Sequence, residues 1–334
     1  MNRRYLKYLT IAFLPLLGGC AADEADGPRS AGVAMEATGR IGAGTRAPHD
    51  NSFDDNAAIG IIPLKAASQL APSGTEILAD RVNSKYSYTA SGDKFLAADN
   101  NNKIFFFTSD KFIISAYYPY KGSVGSLPEI QVSTEKANQT LEKQNSTLDI
   151  LYGFGVTSTG IKYEEYNMRD FKVDLRLNHR MARLALKVNV SLDGGFTEEA
   201  AQKIFDEAEF TLSGLKHSAT YKPATDEMVI PDAVSASDLV FTKTDNIACS
   251  VKDKVRTFEF ILIPQHAAAF TFGLSYTDEM SRQKKYKTKD IDLNLEAGKS
   301  IVIPMTVTKH EIEIGEPEIV DWQQGTSPTV SDGK

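Results

Sequence analysis

Cys20 stands in the setting of this chain that most clearly prescribes a covalent reaction. Leu17-Gly18-Gly19-Cys20 closes an N-terminal segment in which Arg3, Arg4 and Lys7 precede an apolar run from Tyr8 to Leu17. A basic start, a short apolar stretch and a cysteine after two small residues form a bacterial secretory signal of the lipoprotein kind. The prescribed chemistry is attachment of diacylglycerol to the Cys20 sulfur, cleavage before it, and acylation of the freed amine. Each buried methylene contributes about 0.8 kcal/mol, so two or three acyl chains hold a protein on a bilayer essentially permanently. The apolar run is too short for a transmembrane helix, which needs about 20 residues. Residues 1–19 are read as a removable signal and Cys20 as the lipidated residue.

The remaining reactive side chains form no comparable pattern. His49, His179, His217, His266 and His310 are scattered, without HExxH or paired zinc-ligand spacing. Cys249 has no CxxC partner, and with Cys20 taken by lipid no intrachain disulfide remains. The serines include no GxSxG elbow. Asp278 and Glu279 are carboxylates that a glycosidase could pair, but nothing in their spacing asks for it. Asp54-Asp55-Asn56 and Asp99-Asn100-Asn101-Asn102 carry oxygens suited to calcium without the EF-hand glycine and glutamate, and read as Asx turns. Tyr117-Tyr118-Pro119-Tyr120 is an aromatic cluster that either packs internally or stacks on a sugar. No catalytic, cofactor or metal site is expected.

The elements that would position any site read as β-structure. Runs such as Ile59-Gly60-Ile61-Ile62, Phe112 to Tyr117, Leu184 to Val190, Phe258 to Ile263 and Ser300 to Met305 are rich in Val, Ile, Tyr and Phe. Gly, Pro, Asn, Asp and Ser bound them, and several alternate with period two, as antiparallel strands with one buried face do. One helix is expected, from Thr197 to Ala208, with Thr197 as its cap and Ala200, Ile204 and Ala208 along one face. Many strands and one helix specify β-sandwiches. The roughly 310 residues after the signal suffice for two such domains. The polar piece from Gly160 to Asp170 marks a break, giving domains at 47–165 and 166–334. Ala137 to Ser146 reads as a polar surface loop. Arg282, Lys284, Lys285, Lys287 and Lys289 read as a solvated hairpin tip. The formal charge of −7 excludes a nucleic-acid partner.

The order of several short pieces resembles the fimbrillin family, the type V pilins and related surface lipoproteins of Bacteroidales. They are the lipobox at Cys20, Thr45-Arg46-Ala47 followed by Phe53 and Ile59-Gly60-Ile61, and Tyr117 to Tyr120. Leu177-Asn178-His179-Arg180-Met181-Ala182-Arg183-Leu184, Ala297-Gly298-Lys299 and Ile319-Val320-Asp321-Trp322 follow. Ala21-Ala22-Asp23-Glu24-Ala25-Asp26 likewise resembles the acidic signal that carries Bacteroidetes lipoproteins to the outer face of the outer membrane.

That resemblance implies an all-β fold of two tandem transthyretin-like antiparallel β-sandwich domains. It also implies cleavage after an arginine by a surface protease, with Arg46 and Ala47 flanking the preferred bond and Arg40 or Arg29 as other points. It further implies polymerisation by strand exchange. Residues 20–46 would then hold an acidic tether and a removable strand at Gly32 to Ala37, with Val33 and Met35 as its apolar contacts. The donor strand would come from 308–322, through Ile312, Ile314, Ile319 and Trp322. Burying about four such side chains is worth on the order of 10 kcal/mol, and head-to-tail donation builds a filament. The expected partners are other fimbrial subunits, and the outer membrane through the lipid on Cys20. A host protein or glycan joins them if the chain instead works as a monomeric surface adhesin.

Overall fold

Alternation decides where the strands lie. In Lys172–His179, Val173, Leu175, Leu177 and His179 are buried while the residues between them reach toward solvent. The period of two places one face of the strand on the core. The structure, a computed structural model, describes residues 32–42, 53–65, 76–77, 81–106, 111–156, 164–252 and 254–322. It is all-β apart from one ten-residue helix and short helical turns.

Seven strands of the first half close on themselves: β1 (Glu36–Ile41), β2 (Ala58–Lys65), β3 (Ser84–Thr89), β4 (Lys94–Ala97), β5 (Phe112–Tyr118), β6 (Leu151–Gly155) and β7 (Lys172–His179). The circuit runs β5, β6, β7, β1, β4, β3, β2 and back to β5. Every neighbour pair is antiparallel except β1 with β7. Ile59, Ile61, Tyr86, Phe95, Ile114, Leu175 and Leu177 fill the enclosed core. Gly60 is required there, because a Cβ would collide with the Tyr117 ring.

The second half is a sandwich. One sheet holds β8 (Ala182–Val190), β11 (Cys249–Lys252), β12 (Val255–Leu262) and β16 (Lys299–Val307), with β17 (Ile312–Ile314) and β18 (Glu318–Asp321) along the outer edge of β16. The other holds β9 (Glu209–Leu215), β10 (Ser237–Phe241), β13 (Gln265–Thr277), β14 (Gln283–Lys287) and β15 (Ile291–Leu295). β8 and β16 pair in parallel over eight residues. The apolar core between the sheets includes Phe210, Phe241, Phe260, Phe270 and Phe272. The helix α1 (Glu198–Glu207) starts where expected, with the Thr197 side chain accepting from the Ala200 N–H, and it buries Ile204 and Phe205.

Three local expectations are revised by packing. The chain passes from the first sheet system to the second at Arg180–Met181, so Glu165–Tyr166 and β7 belong with the first half. The polar break at Gly160 to Asp170 precedes a strand of the same sheet. Residues 136–148 form helical turns, and Gln139 and Gln144 within them are buried. Their side chains satisfy backbone groups of β12: Gln139 accepts from Ile261 N–H and donates to Ile261 O, and Gln144 donates to Glu259 O. A polar stretch reads as solvated until the backbone it completes is known. The tip of the basic hairpin is Asp278–Arg282, and Lys284, Lys285 and Lys287 lie along the edge strand β14.

The two halves also share a sheet. Ile130–Ser133 from the first pairs antiparallel with Ser218–Lys222 from the second, which in turn pairs with Glu227–Val229. Residues 32–322 lie within one compact unit.

Candidate functional site

The N-terminal strand is an inner stave of the first sheet. Val33–Ala34 pairs with Phe105–Phe106, and the Met35 N–H donates to Ile104 O. β1 then runs parallel to β7, from Glu36 opposite Lys172 to Ile41 opposite Leu177. Its other side meets β4 through the single pair Ala37–Phe95. Met35, Ala37 and Ile41 are buried, and Val33 is half-buried. Gly39 admits Phe95: a Cβ there would lie 2.9 Å from the ring. The strand therefore extends beyond Gly32 to Ala37, through Thr38-Gly39-Arg40, which carries no apolar signal of its own. Its ladder is continuous along β7 and interrupted on the other side, where Val33–Ala34 and Ala37 pair separately. Loss of β1 would bare Phe95, Val173, Leu175 and Leu177 beside a row of unpaired backbone groups, which is a template for another strand.

The C-terminal segment lies on an edge. β17 pairs antiparallel with β16 from Val307–Ile312 to Met305–Ile314, and β18 from Val302–Glu318 to Lys299–Asp321. Ile312 is buried, but Ile314 and Ile319 are exposed, Ile319 by 64%. The chain leaves the edge between Ile314 and Glu318, so the alternation of the first piece does not carry into the second. Trp322 ends the segment in a buried position. Its ring stacks on His179 at 4.0 Å and 8°, and its backbone N–H donates to Gly298 O. His179 Nδ1 in turn lies 2.6 Å from Asp149 Oδ1, with both side chains buried.

Other candidates have structural duties. Tyr117 is fully buried, its hydroxyl donating to Asn83 Oδ1 at 2.7 Å, and burial pushes its pKa well above the usual phenol value. Tyr118 packs on Phe53 and donates to Asn145 O, so this cluster is not an open stacking surface. Asp99 caps a helical turn, accepting from the Asn101 and Asn102 N–H groups. Asp55 accepts from Ala90 N–H. Asp278 accepts from the backbone N–H groups of Met280 and Arg282 and pairs with the Arg282 side chain. Hydrogen bonding from Arg282 holds its carboxyl below the usual range, so it is committed as an ionised turn anchor rather than half of an acid–base pair. Burial pushes the Cys249 thiol up to about 11, which leaves it unreactive. His217 is buried against Thr134 Oγ1 at 3.0 Å, and His266 pairs with Asp292 at the surface. Cys20, Arg46, Ala47, Arg29 and His49 lie outside the described residues.

Sequence reasoning missed the stack of Trp322 on His179 and the role of Phe95 against β1. Both join positions remote in the chain, for which one sequence holds no signal.

The family described as Fimbrillin-like matches residues 45–322. Two solved structures of candidate cell adhesion proteins are similar to this chain. That from Bacteroides ovatus has a TM-score of 0.64 at 21% identity, covering 87% of this chain and 98% of its own. That from Bacteroides uniformis has a TM-score of 0.59 at 21% identity, covering 87% and 99%. At these identities the likeness is one of fold. No curated protein matches in sequence.

Proposed function

Because this chain belongs to the fimbrillin-like family, we propose that it is a fimbrial subunit matured and assembled by strand exchange at the cell surface. The family is one of structural and adhesion proteins, not of enzymes. In this reading the chain is exported as an outer-membrane lipoprotein held through Cys20. Cleavage between Arg46 and Ala47 then releases residues 20–46 together with the lipid. The groove between β7 and β4 is left open, and the 308–322 segment of a neighbouring subunit fills it.

The observation that carries this reading is the asymmetric seating of β1. It contributes Met35, Ala37 and Ile41 to the core and pairs with β7 over six residues, yet away from β7 it is held only piecewise, by Ala37–Phe95 and by Val33–Ala34 on Phe105–Phe106 just before it. Arg40 sits inside the paired strand, so a protease reaching it must first unpair the ladder, whereas Arg46 follows the strand end at Ile41. This favours Arg46. On the donor side, β17 and β18 pair, among the described residues, only with β16 and leave Ile319 and Val320 exposed. Such a segment detaches with little loss of apolar burial apart from Ile312 and Trp322.

The test is N-terminal sequencing of the protein sheared from its native surface, with oligomers examined after mild heating in detergent. A start at Ala47 with heat-resistant oligomers is expected. An acylated Cys20 on every molecule overturns the reading.

A further inference from the structure

The β13–β14 hairpin and the start of α1 enclose a cleft of about 290 Å³ that strand exchange leaves unused. Its floor is aromatic. Tyr276 on β13 and Tyr286 on β14 are half-buried diagonal neighbours, with ring planes 13° apart and centroids 6.1 Å apart. Phe196 meets Tyr276 edge-on at 6.4 Å, and the Tyr286 hydroxyl donates to Lys309 O at 3.0 Å, which fixes that ring. Met280 at the hairpin tip is 73% exposed above them.

Charge surrounds this floor. Lys203, Arg282, Lys284 and Lys309 face Asp278 and Glu279, four cations against two carboxylates. Asp278 is already taken, with Arg282 Nη2 at 2.9 Å and Lys284 Nζ at 3.9 Å. Lys309 Nζ stands 5.9 Å over the Phe196 ring. The positive excess is local, since the whole chain carries a formal charge of −7.

We propose that this cleft binds an acidic saccharide, a pyranose bearing a carboxylate or a sulfate. The C–H face of a pyranose lies flat on an aromatic ring, and the Tyr276–Tyr286 pair offers a fixed platform of that kind. Hydroxyls at the ring edge need donors and acceptors in one place, which Arg282 and Glu279 supply. The anionic substituent goes to Lys203 and Lys309, exposed cations at the rim of the cleft, with Lys203 exchanging its loose surface pairing to Glu207 at 3.8 Å for the ligand. The volume lies at the lower end of the ~300–1,000 Å³ range of small-molecule sites and suits one substituted sugar ring. The cleft is shallow, so the dissociation constant is on the order of 1 mM.

The uncleaved, unlipidated chain, in which β1 keeps its place beside β7, is the sample, so the experiment is independent of cleavage and assembly. Saturation-transfer NMR and titration are run with sialyllactose, a galacturonic acid disaccharide, galactose 6-sulfate and neutral lactose. The expected result is transfer to the ring protons of an acidic probe, with binding at least about tenfold tighter than for lactose. The carboxylated or sulfated probe that binds more tightly assigns the anion. The double variant K203A/K309A is expected to lose about tenfold in affinity with its melting temperature held. Equal binding of lactose overturns the proposal. So does absence of transfer to every acidic probe at about 10 mM, undiminished binding by the double variant, or equal competition by an oligoglutamate peptide.

Discussion

Trp322 is the single tryptophan of the chain, and its ring lies on His179 at the junction of the two halves. Truncating a buried aromatic costs about 3–5 kcal/mol, and a position near the chain end belongs at the lower limit. Trp322→Ala is therefore expected to lower unfolding stability by about 3 kcal/mol in urea titration, and Trp322→Phe by less. The same ring serves as an optical reporter: detachment of the C-terminal segment ends the stack and changes its emission. His217 sets a pH dependence. Burial holds its imidazole below the ordinary value, because it penalises the cation. The unfolded chain then takes up the proton first as pH falls. The stabilisation is complete above the ordinary pKa of ~6.5 and is lost as pH drops through it toward the folded-state value. Urea midpoints are expected to fall between about pH 7.5 and pH 5, and to fall less in His217→Gln. At this scale the sequence reveals burial better than partnership. The alternation of Val173, Leu175 and Leu177 marks an inward face, but nothing near His179 names Asp149 or Trp322 as its neighbours.

β1 shows what an element's own residues reveal and conceal. Met35 and Ala37 suggest a strand, but Thr38-Gly39-Arg40 suggests its end, and the strand continues because Gly39 is where Phe95 packs. Gly39→Val places a side chain 2.9 Å from that ring. Overpacking of this kind costs about 1–3 kcal/mol, so thermal melting is expected to fall while Thr38→Val on the exposed face changes little. The helix was legible to within a residue, since a threonine cap, early glutamates and an apolar stripe are local signals. The helical turns at 136–148 were not, because Gln139 and Gln144 are buried by what they complete on β12. β14 is an edge strand protected by charge. Lys285 and Lys287 are exposed along it, and lysine on an edge discourages pairing with a second chain. K285V/K287V is expected to leave the melting temperature nearly unchanged and to raise light scattering on storage.

At the scale of the whole molecule, the pairing of Ile130–Ser133 with Ser218–Lys222 makes the halves interdependent. Arg180 strengthens the junction, bonding Asp226 at 2.7 Å while stacking over Tyr152. A single calorimetric transition is expected for the uncleaved chain. Thr220→Pro removes an N–H from a strand paired on both sides, and is expected to split that transition into two. The all-β class was legible from the recurrence of short apolar runs. The point of changeover was not, because it depends on which sheet β7 joins. The parallel seating of β1 has a mechanical consequence as well. In the proposed filament a neighbour's strand occupies that seat along the β7 ladder, which spans six residues. A strand peeled sideways gives up its bonds one after another and yields at low force. A strand pulled along its axis must shear all of them together. Tension transmitted from subunit to subunit along the fibre then meets the seam in its most resistant direction, although the same seam opens readily to a protease-initiated peel.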